Sequence, residues 1–274
     1  MNLANALEIA SATDPGMVRA HNEDSIASDA AKGLVVLADG MGGYNAGEVA
    51  SGMATTVITT ELKQILEEHP PYAADPNTGT PIAQRLLQSQ ISKANTSIYH
   101  ASQSQPKYSG MGTTLVVALF YDNKMTVAHI GDSRLYRLRA DKFEQVTKDH
   151  SLLQEQIDSG LITPEQAKQS ANKNLVTRAL GIDSMVEPEI HDYNTQVQDI
   201  YLLCSDGLCD MVKDEDISMT LQALGANLKL AAQQLVQMAN DNGGRDNVSV
   251  ILVRVREEYP APRGVLGKFF GWLK

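Results

Sequence analysis

The sequence is poor in cysteine and in aromatic residues, and it has no long apolar run. Its two cysteines, Cys204 and Cys209, lie too close together in the chain to form a disulfide framework. Unpaired thiols fit a reducing compartment, so we expect a cytoplasmic protein. Residues 1–14 lack the basic and apolar regions of a secretion signal, and no stretch approaches the roughly 18 apolar residues of a transmembrane helix.

Positive charge is also in short supply. The formal net charge is −10, which argues against a nucleic-acid-binding protein because contact with phosphate backbones needs a basic surface. The same argument applies to an anionic membrane as a partner of the whole chain. Aromatic residues make up 5% of the 274 residues, so the core must consist of Val, Ile, Leu, Ala and Met. With 43% hydrophobic residues, the chain is long enough to bury a core in one large domain or two small ones.

Apolar runs with strand character recur along the chain. They fall at about residues 7–13, 34–39, 112–121, 125–130, 134–139, 187–193, 199–204 and 247–255. Turn sequences at 121–124 and 139–142 predict hairpins, and therefore antiparallel pairing. Helical periodicity follows the first strands, at 49–58 and 82–98, and precedes the last one, at 228–239. Strands grouped in this way, with helices covering the sheets, indicate an α+β fold.

Aspartates beside glycines recur at the ends of these apolar runs. The set is Asp39, Asp132, Asp206 and Asp246, with Glu23 and Asp24 in a fifth acidic cluster. A single aspartate at such a place is typical of a turn. Four of them indicate that the strand ends converge, and converging carboxylates repel one another unless a cation lies among them. Oxygen ligands favour Mg²⁺, Mn²⁺ or Ca²⁺, and the lack of Cys/His spacing argues against zinc.

The segment LVVLADGMGG, residues 34–43, carries the first of these aspartates. Asp39 is followed by Gly40, which lets the backbone approach closely and offers its carbonyl oxygen to an ion. The combined carboxylates carry enough charge for two ions. Two metals that share a bridging carboxylate form a hydrolytic centre that generates hydroxide near neutral pH. Asp39 is the natural bridging residue, because the Gly40 carbonyl follows it directly.

Seven motifs occur in order along the chain, and together they resemble one family. They are TDPGMVRAHNEDS, LADGMGG, SGMGTTL, IGDSRLY, KDHSL, SDGL and GGRDNVSV, within about residues 8–256. The sequence resembles the metal-dependent protein phosphatases, also called PPM or type 2C serine/threonine phosphatases, in their compact bacterial form. The resemblance implies a four-layer α-β-β-α sandwich in which two antiparallel sheets are flanked by helix pairs. It also implies that a metal-activated water hydrolyses phosphoserine and phosphothreonine in proteins without a covalent enzyme intermediate.

The resemblance assigns the metal ligands. It implies Mn²⁺ or Mg²⁺ as the cofactor, with two ions bridged by Asp39. Asp206 and Asp246 hold the first ion, and the Gly40 carbonyl binds the second. The three aspartates are the catalytic core of this assignment.

Further residues match outer positions of the family's site. Glu23 or Asp24 supports the second ion through water. Asp132, together with Asp206, resembles the ligands of a third and weaker metal site. Arg19 resembles the arginine that grips the substrate phosphate, because its fork of donors suits two phosphate oxygens.

One position departs from some relatives. Met41 stands where they carry a histidine that protonates the leaving alkoxide, and a methionine has no proton to donate. We expect a metal-bound water to be the acid, with His21 and Tyr44 as alternatives. The ordinary tyrosine pKa of about 10 makes Tyr44 a poor match to neutral pH.

Rival interpretations are weaker on sequence grounds. A cysteine-dependent phosphatase needs an arginine six residues after its cysteine, but Asp210 and Glu215 occupy those positions here. A phosphatase-like binding module without catalysis would have lost metal aspartates, and these are present. The histidines at 69, 100, 129, 150 and 191 show no metal-ligand spacing, and we expect His150 in KDHSL to be structural, at the base of a flap.

We divide the chain into a catalytic domain and a short tail. Residues 1–258 form the phosphatase domain, with a flap at about 159–175, and residues 259–274 form an amphipathic basic tail. In a helix, one face of the tail would carry four apolar residues, Leu266, Phe269, Phe270 and Leu273. The tail then either folds back on the domain or docks weakly on a partner protein or an anionic membrane surface. The expected partners are phosphoproteins and a cognate Ser/Thr kinase with its substrates, and we expect a monomer.

Overall fold

Two antiparallel β-sheets lie at the centre of the computed structural model, which describes residues 2–43, 46–75, 79–163, 166–167 and 175–262. The strands are, in chain order, β1 (Leu7–Asp14), β2 (Asp24–Asp29), β3 (Leu34–Met41), β4 (Gly112–Thr113), β5 (Leu115–Tyr121), β6 (Lys124–Ile130), β7 (Arg134–Arg139), β8 (Lys142–Gln145), β9 (Glu189–Asn194), β10 (Ile200–Cys204) and β11 (Val248–Val255). One sheet has the order β1-β11-β10-β7-β8, and the other has the order β2-β3-β5-β6-β9, with β4 paired to β3. The pairings between these strands are antiparallel, as the turn sequences predict.

Helices cover the outer face of each sheet. They are, in chain order, α1 (Ala46–Glu68), α2 (Ala83–Ser104), α3 (Leu152–Asp158), α4 (Asp206–Cys209), α5 (Asp214–Leu224) and α6 (Leu228–Asp241), with a 3₁₀ turn at Pro106–Tyr108. The pair α1 and α2 packs on the sheet that contains β3, and the pair α5 and α6 packs on the sheet that contains β11. The predicted α+β class and four-layer α-β-β-α sandwich are confirmed.

The side chains of β3 alternate between its two faces, and this shows how the layers are held together. Leu34 and Val36 face α1 and α2, whereas Val35 and Leu37 face the space between the sheets. In that space they join an apolar cluster to which β10 contributes Leu203. Because both faces are buried, the strand is a continuous apolar run, and each such buried side chain contributes about 1.5–3 kcal/mol.

Some elements differ from the sequence prediction. The run predicted at 112–121 is two strands, because β4 pairs with the end of β3 through Gly40 and Thr113 while β5 pairs with its beginning. The sequence does not predict the short helices α3 and α4, since stretches of 7 and 4 residues are too short to show a helical period.

Buried residues follow the boundary predicted at position 258. Tyr259 is buried, its backbone N–H donates to Asn123 Oδ1 at 2.6 Å, and its hydroxyl is hydrogen-bonded to Thr195. Ala261 is also buried and donates its N–H to Asp122 Oδ1 at 2.8 Å. These contacts hold Tyr259 and Ala261 against Asp122, Asn123 and Thr195. The predicted boundary at position 258 stays a prediction.

Parts of the chain that carry predictions lie outside the described residues. These are Tyr44, two parts of the predicted flap at 164–165 and 168–174, and the tail at 263–274. The predictions made for them stay predictions. Within the part of the chain that the structure describes, no helix has both the length and the apolarity needed to cross a membrane.

Candidate active site

Five of the predicted aspartates converge in one site. Asp24 at the start of β2 lies opposite Asp39 near the end of β3 in the strand register. Asp132 follows β6, Asp206 begins α4 directly after β10, and Asp246 precedes β11. The charges of the other four aspartates all raise the pKa of Asp39. Strand ends from both sheets therefore bring the five carboxylates together, as the sequence predicts.

Burial makes this cluster unfavourable for negative charge. It raises the pKa of Asp39 and of Asp206 well above the ordinary value, and neighbouring carboxylates raise both further. Burial is also the main cause that raises the pKa of Asp24 and of Asp132 to about 6. At neutral pH, a fully ionised set of carboxylates therefore requires additional positive charge in the site.

Two guanidinium groups lie beside the carboxylates, and each is already paired. Arg19 donates from Nη2 to Asp246 Oδ2 at 2.7 Å. This hydrogen bond is the main cause that raises the pKa of Arg19. Arg134 donates from Nε and Nη2 to Asp149 Oδ2 at 3.0 and 2.7 Å. Two paired arginines do not balance five clustered aspartates.

The donor set fits divalent cations. Asp24 Oδ2 accepts a hydrogen bond from Ser205 Oγ at 2.9 Å, but its buried Oδ1 has no hydrogen-bond partner among the described residues. A buried carboxylate oxygen in this state is unfavourable unless an ion or a water satisfies it. Carboxylate and carbonyl oxygens are the ligands that Mg²⁺ and Mn²⁺ prefer. The aspartates and the adjoining Gly40 carbonyl supply such ligands, and so fit the predicted metals.

Gly40 and Gly47 allow α1 to begin directly against the end of β3. A side-chain carbon at Gly40 would collide with the Gly47 carbonyl oxygen, and one at Gly47 would lie 2.8 Å from Glu23 Cδ. Burial raises the pKa of Glu23, while Arg19 and the backbone amides of Glu48 and Gly47 at the helix N-terminus oppose that shift. From the sequence, metal binding is the only predicted role of Gly40. The structure shows a second role, because the missing side chain lets α1 approach β3 closely.

Comparison with known proteins decides the family. The sequence matches the family model described as protein phosphatase 2C over residues 18–249. The chain belongs to the protein phosphatase 2C family. This confirms the resemblance drawn from the seven motifs.

Curated relatives agree with this family. The chain is 38% identical over 249 residues to the serine/threonine protein phosphatase PstP of Mycobacterium tuberculosis, which covers 91% of this chain. It spans 45% of that relative's length. It is 36% identical to the serine/threonine phosphatase stp of Listeria innocua, over 88% of this chain and 93% of the relative.

Solved structures of the family share the fold. The crystal structure of the M. tuberculosis serine/threonine phosphatase PstP/Ppp has a TM-score of 0.82 and 37% identity, over 92% of this chain and 99% of that one. The catalytic domain of PstP in complex with two manganese ions has a TM-score of 0.78 and 38% identity, with the same coverage. This chain therefore shares its fold with these phosphatase structures.

Asn247 fastens the loop at 15–23 in this protein phosphatase 2C domain, and the sequence reasoning missed it. Its Nδ2 donates to the carbonyls of Pro15 and His21 at 3.0 and 2.9 Å. Its Oδ1 accepts the N–H of Glu23 at 2.8 Å. The only trace of this role in the sequence is its position directly after a predicted metal aspartate, in GGRDNVSV.

Asp210 is a further acidic residue near the site that the sequence reasoning did not assign to it. It lies one helical turn after Asp206, at the end of α4. Its charge raises the pKa of Asp132 and of Asp206. The spacing of four residues in SDGLCD is the signal that puts both carboxylates on one side of the short helix.

Two histidines for which the sequence shows no metal-ligand spacing lie together. The rings of His129 and His150 stack with centroids 4.7 Å apart, and ligand atoms of both and of Glu189 lie within 4.8 Å of one another. The sequence does not predict this group because its members lie on different elements. His129 Nε2 is hydrogen-bonded to the Lys148 carbonyl at 2.7 Å, and His150 Nδ1 accepts the Gly131 N–H at 3.2 Å. One nitrogen of each ring is therefore already engaged by a backbone group.

Proposed function

We propose that the chain is a metal-dependent phosphatase that hydrolyses phosphoserine and phosphothreonine in proteins. The observation that supports this most is the convergence of five aspartates with Arg19 paired to the cluster. Membership of the protein phosphatase 2C family supports the same reaction, as do the serine/threonine phosphatase descriptions of the relatives.

The two main metal positions are proposed residue by residue. Asp39, Asp206 and Asp246 would hold the first ion, and Asp39, Asp24 and the Gly40 carbonyl would hold the second. Bound Mn²⁺ or Mg²⁺ would supply Lewis acidity that activates water and offsets charge on the phosphoryl group. Support comes from the unsatisfied Asp24 oxygen and from the two manganese ions named for the PstP structure.

Outer positions complete the proposal. Asp132, together with Asp206, is assigned to a third and weaker ion, and its pKa of about 6 fits a carboxylate that needs a cation. Glu23 supports the second ion from the N-terminus of α1. Its backbone is held by Asn247, so its position is fixed relative to the start of β11.

Arg19 is proposed to hold the substrate phosphate. Its side chain is 53% exposed and lies beside the aspartates, where a phosphate group would reach it from solvent. A guanidinium carries five N–H donors, and two of them fit two phosphate oxygens. Met41 has no proton to donate, so we assign protonation of the departing serine or threonine oxygen to water.

The substrates are proposed to be phosphoproteins produced by a Ser/Thr kinase of the same cell. Two of the relatives are described as serine/threonine phosphatases, which supports this class of substrate. A cytoplasmic location is supported by Cys204 and Cys209, which are free thiols. We propose that residues 1–258 act as one monomeric catalytic domain.

The test is hydrolysis of p-nitrophenyl phosphate and of a phosphothreonine peptide with Mn²⁺. We expect turnover that EDTA abolishes and added Mn²⁺ restores. Asp206→Asn should lower kcat about 100-fold or more, because a ligand charge worth several kcal/mol is lost. Asp241→Asn, on the exposed end of α6, is the matched control and should keep wild-type turnover. Wild-type protein without Mn²⁺-dependent turnover, or a folded Asp206→Asn protein with full turnover, contradicts the proposal.

A further inference from the structure

The turn that carries Asp132 is held by a histidine from another part of the chain. The backbone N–H of His150 donates to the Gly131 carbonyl at 2.9 Å, and the Gly131 N–H donates back to His150 Nδ1 at 3.2 Å. His150 is 6% exposed, so water does not compete well for these hydrogen bonds. His150 thus satisfies both backbone groups of the residue directly before Asp132, the carbonyl through its own backbone and the N–H through its side chain.

The same turn is fixed from its other side by Thr114. Gly131 has a φ of +99°, and a side-chain carbon there would lie 2.7 Å from Thr114 Cβ. The Thr114 hydroxyl is hydrogen-bonded to Ser133 Oγ at 2.7 Å and accepts the N–H of Asp39 at 3.1 Å. The residues on both sides of Asp132 are therefore tied, one to Asp39 through Thr114 and the other to His150.

The surroundings of His150 define its tautomer. Nδ1 accepts a hydrogen bond, so in the neutral ring the proton is on Nε2, which lies 3.5 Å from Glu189 Oε2. The ring stacks on His129, which lies opposite Glu189 in the pairing of β6 and β9. Burial, with added effects of His129 and Arg178, lowers the pKa of His150. The neutral ring with an accepting Nδ1 is the form that the site favours.

His150 also belongs to the base of the predicted flap. Its carbonyl accepts the N–H of Thr177 at 2.8 Å. The next residue, Ser151, pairs with Val176 and accepts the N–H of Gln154 at the start of α3. The residue that holds the Asp132 turn therefore also joins the segments that precede and follow the flap.

We propose that His150 is a positioning residue, which sets the Asp132 carboxylate through Gly131 and links it to the base of the flap. This rests on the proposed function in one respect, the assignment of Asp132 to a third metal ion. His150 itself does not touch substrate or metal. It acts by fixing the direction in which the turn presents the carboxylate.

Two complementary variants separate the hydrogen bond from packing. His150→Phe keeps a ring that stacks on His129 but removes the acceptor for Gly131. His150→Asn loses the ring but places a side-chain oxygen where Nδ1 lies. His191→Ala is the control, because this exposed histidine hydrogen-bonds the other Glu189 oxygen at 2.8 Å and is a residue of the same type.

The first readout needs neither metal nor turnover. In the metal-free protein, we expect the Gly131 amide to exchange with solvent about tenfold faster or more in His150→Phe, and near the wild-type rate in His150→Asn and His191→Ala. In Mn²⁺ titrations, His150→Phe should keep two tight sites and weaken the third about 10–100-fold, as loss of an outer-shell partner does. Turnover of a phosphopeptide should fall in kcat more than it changes in KM.

Opposite results overturn the proposal. Wild-type Gly131 exchange in His150→Phe, or equal effects of His191→Ala, shows that the hydrogen bond does not position the turn. If His150→Phe does not fold, ¹H–¹⁵N spectra of wild-type His150 decide, because a proton on Nδ1 is incompatible with acceptance from Gly131. Absence of Mn²⁺-dependent turnover in the wild type would contradict the phosphatase function. The exchange rate of the Gly131 amide would still test whether His150 positions the turn.

Discussion

At the scale of single residues, Asp39 occupies an environment that disfavours its own charge. Four neighbouring aspartates and burial raise its pKa. Its backbone is fixed on both sides, because its carbonyl accepts the Thr114 N–H at 2.9 Å and its N–H donates to Thr114 Oγ1 at 3.1 Å. The residue cannot move away from its neighbours, so the repulsion persists in the metal-free protein and favours cation binding.

This repulsion makes the metal-free stability depend on pH. A carboxylate whose folded-state pKa is raised above its unfolded value of 3.8 stabilises the protein at low pH, and this contribution is lost as pH rises through the folded-state pKa. Metal-free Asp39→Asn should therefore be more stable than wild type at pH 8. Urea denaturation in EDTA at several pH values measures the difference.

The size of that difference across pH identifies its cause. It should shrink toward pH 5, where Asp24 and Asp132, with pKa values of about 6, are protonated as well. Burial lowers the pKa values of His129 and His150, so their titration makes the protein more stable as pH rises. This contribution is common to the wild type and Asp39→Asn, and the difference between the two proteins removes it. A wild type as stable as Asp39→Asn at pH 8 would show that the carboxylates do not repel.

Arg19 carries the prediction on substrate binding. Arg19→Lys keeps the charge but replaces the planar fork by a point charge, so a bidentate grip on phosphate is lost. We expect the KM for a phosphothreonine peptide to rise about tenfold with a smaller change in kcat. The matched control is Arg245→Lys, an exposed arginine next to Asp246, which should leave both constants unchanged. Equal effects of the two substitutions would argue against a specific role for Arg19.

The sequence predicts some site residues and misses others for a physical reason. Asp39 and Asp206 each end an apolar run, so strand termini alone indicate where they lie. Asn247 and His150 act through backbone groups of segments far away in the chain. No periodicity or spacing encodes such contacts, because they depend on how the two sheets are placed against each other.

At the scale of elements, the contact between β3 and α1 depends on glycine. Gly47→Ala would place a methyl group 2.7 Å from the Gly40 backbone carbon and 2.8 Å from Glu23 Cδ. We expect a loss of about 1–3 kcal/mol in stability, since the crowded backbone has to move. Mn²⁺-dependent turnover should also fall, because the end of β3 carries Asp39. Thermal denaturation and steady-state kinetics measure both effects.

Gly52 provides the control within the same helix. A methyl group there meets nothing within 4 Å, so Gly52→Ala gains helix propensity without a clash. It should stabilise the protein by about 0.5–1 kcal/mol and leave turnover unchanged. If Gly47→Ala behaves like Gly52→Ala, the helix does not need the close approach to β3.

Long elements follow from the sequence better than short ones. The predicted helical stretches at 49–58 and 228–239 lie within α1 and α6, and the stretch at 82–98 begins one residue before α2. The apolar faces of these helices are wide enough to show a period. The break between β4 and β5 arises because the two strands pair with different parts of β3. The apolar run at 112–121 gives no sign of this change in pairing. Local pattern thus predicts the type of element, and tertiary pairing decides where it is interrupted.

At the scale of the whole molecule, the C-terminal segment is anchored away from the carboxylates. Asp122 and Asn123 precede β6 and hold the backbone of the segment at 259–261, whereas Asp132 follows β6. A strand of 7 residues spans about 23 Å. The segment at 259–261 therefore lies at the opposite end of the sandwich from the clustered aspartates.

This geometry sharpens the prediction for the tail. Residues 263–274 contain three cations and no acid, together with the only Trp and two of the four Phe residues. We expect deletion of 263–274 to leave Mn²⁺-dependent turnover of p-nitrophenyl phosphate unchanged. The same deletion should abolish co-sedimentation with anionic vesicles, since three cations and a few apolar side chains give weak, reversible binding.

A longer deletion distinguishes localisation from folding. Removing 259–274 also removes the buried Tyr259 and Ala261, so it should lower the melting temperature whereas deletion of 263–274 should not. Loss of a buried aromatic side chain and its hydrogen bonds corresponds to about 3–5 kcal/mol. If deletion of 263–274 alone unfolds the protein or lowers turnover, the tail folds back on the domain, and docking on a membrane surface has to be dropped. If the protein without residues 263–274 keeps its turnover but the full chain does not bind vesicles, a protein is the expected partner of the tail's apolar face.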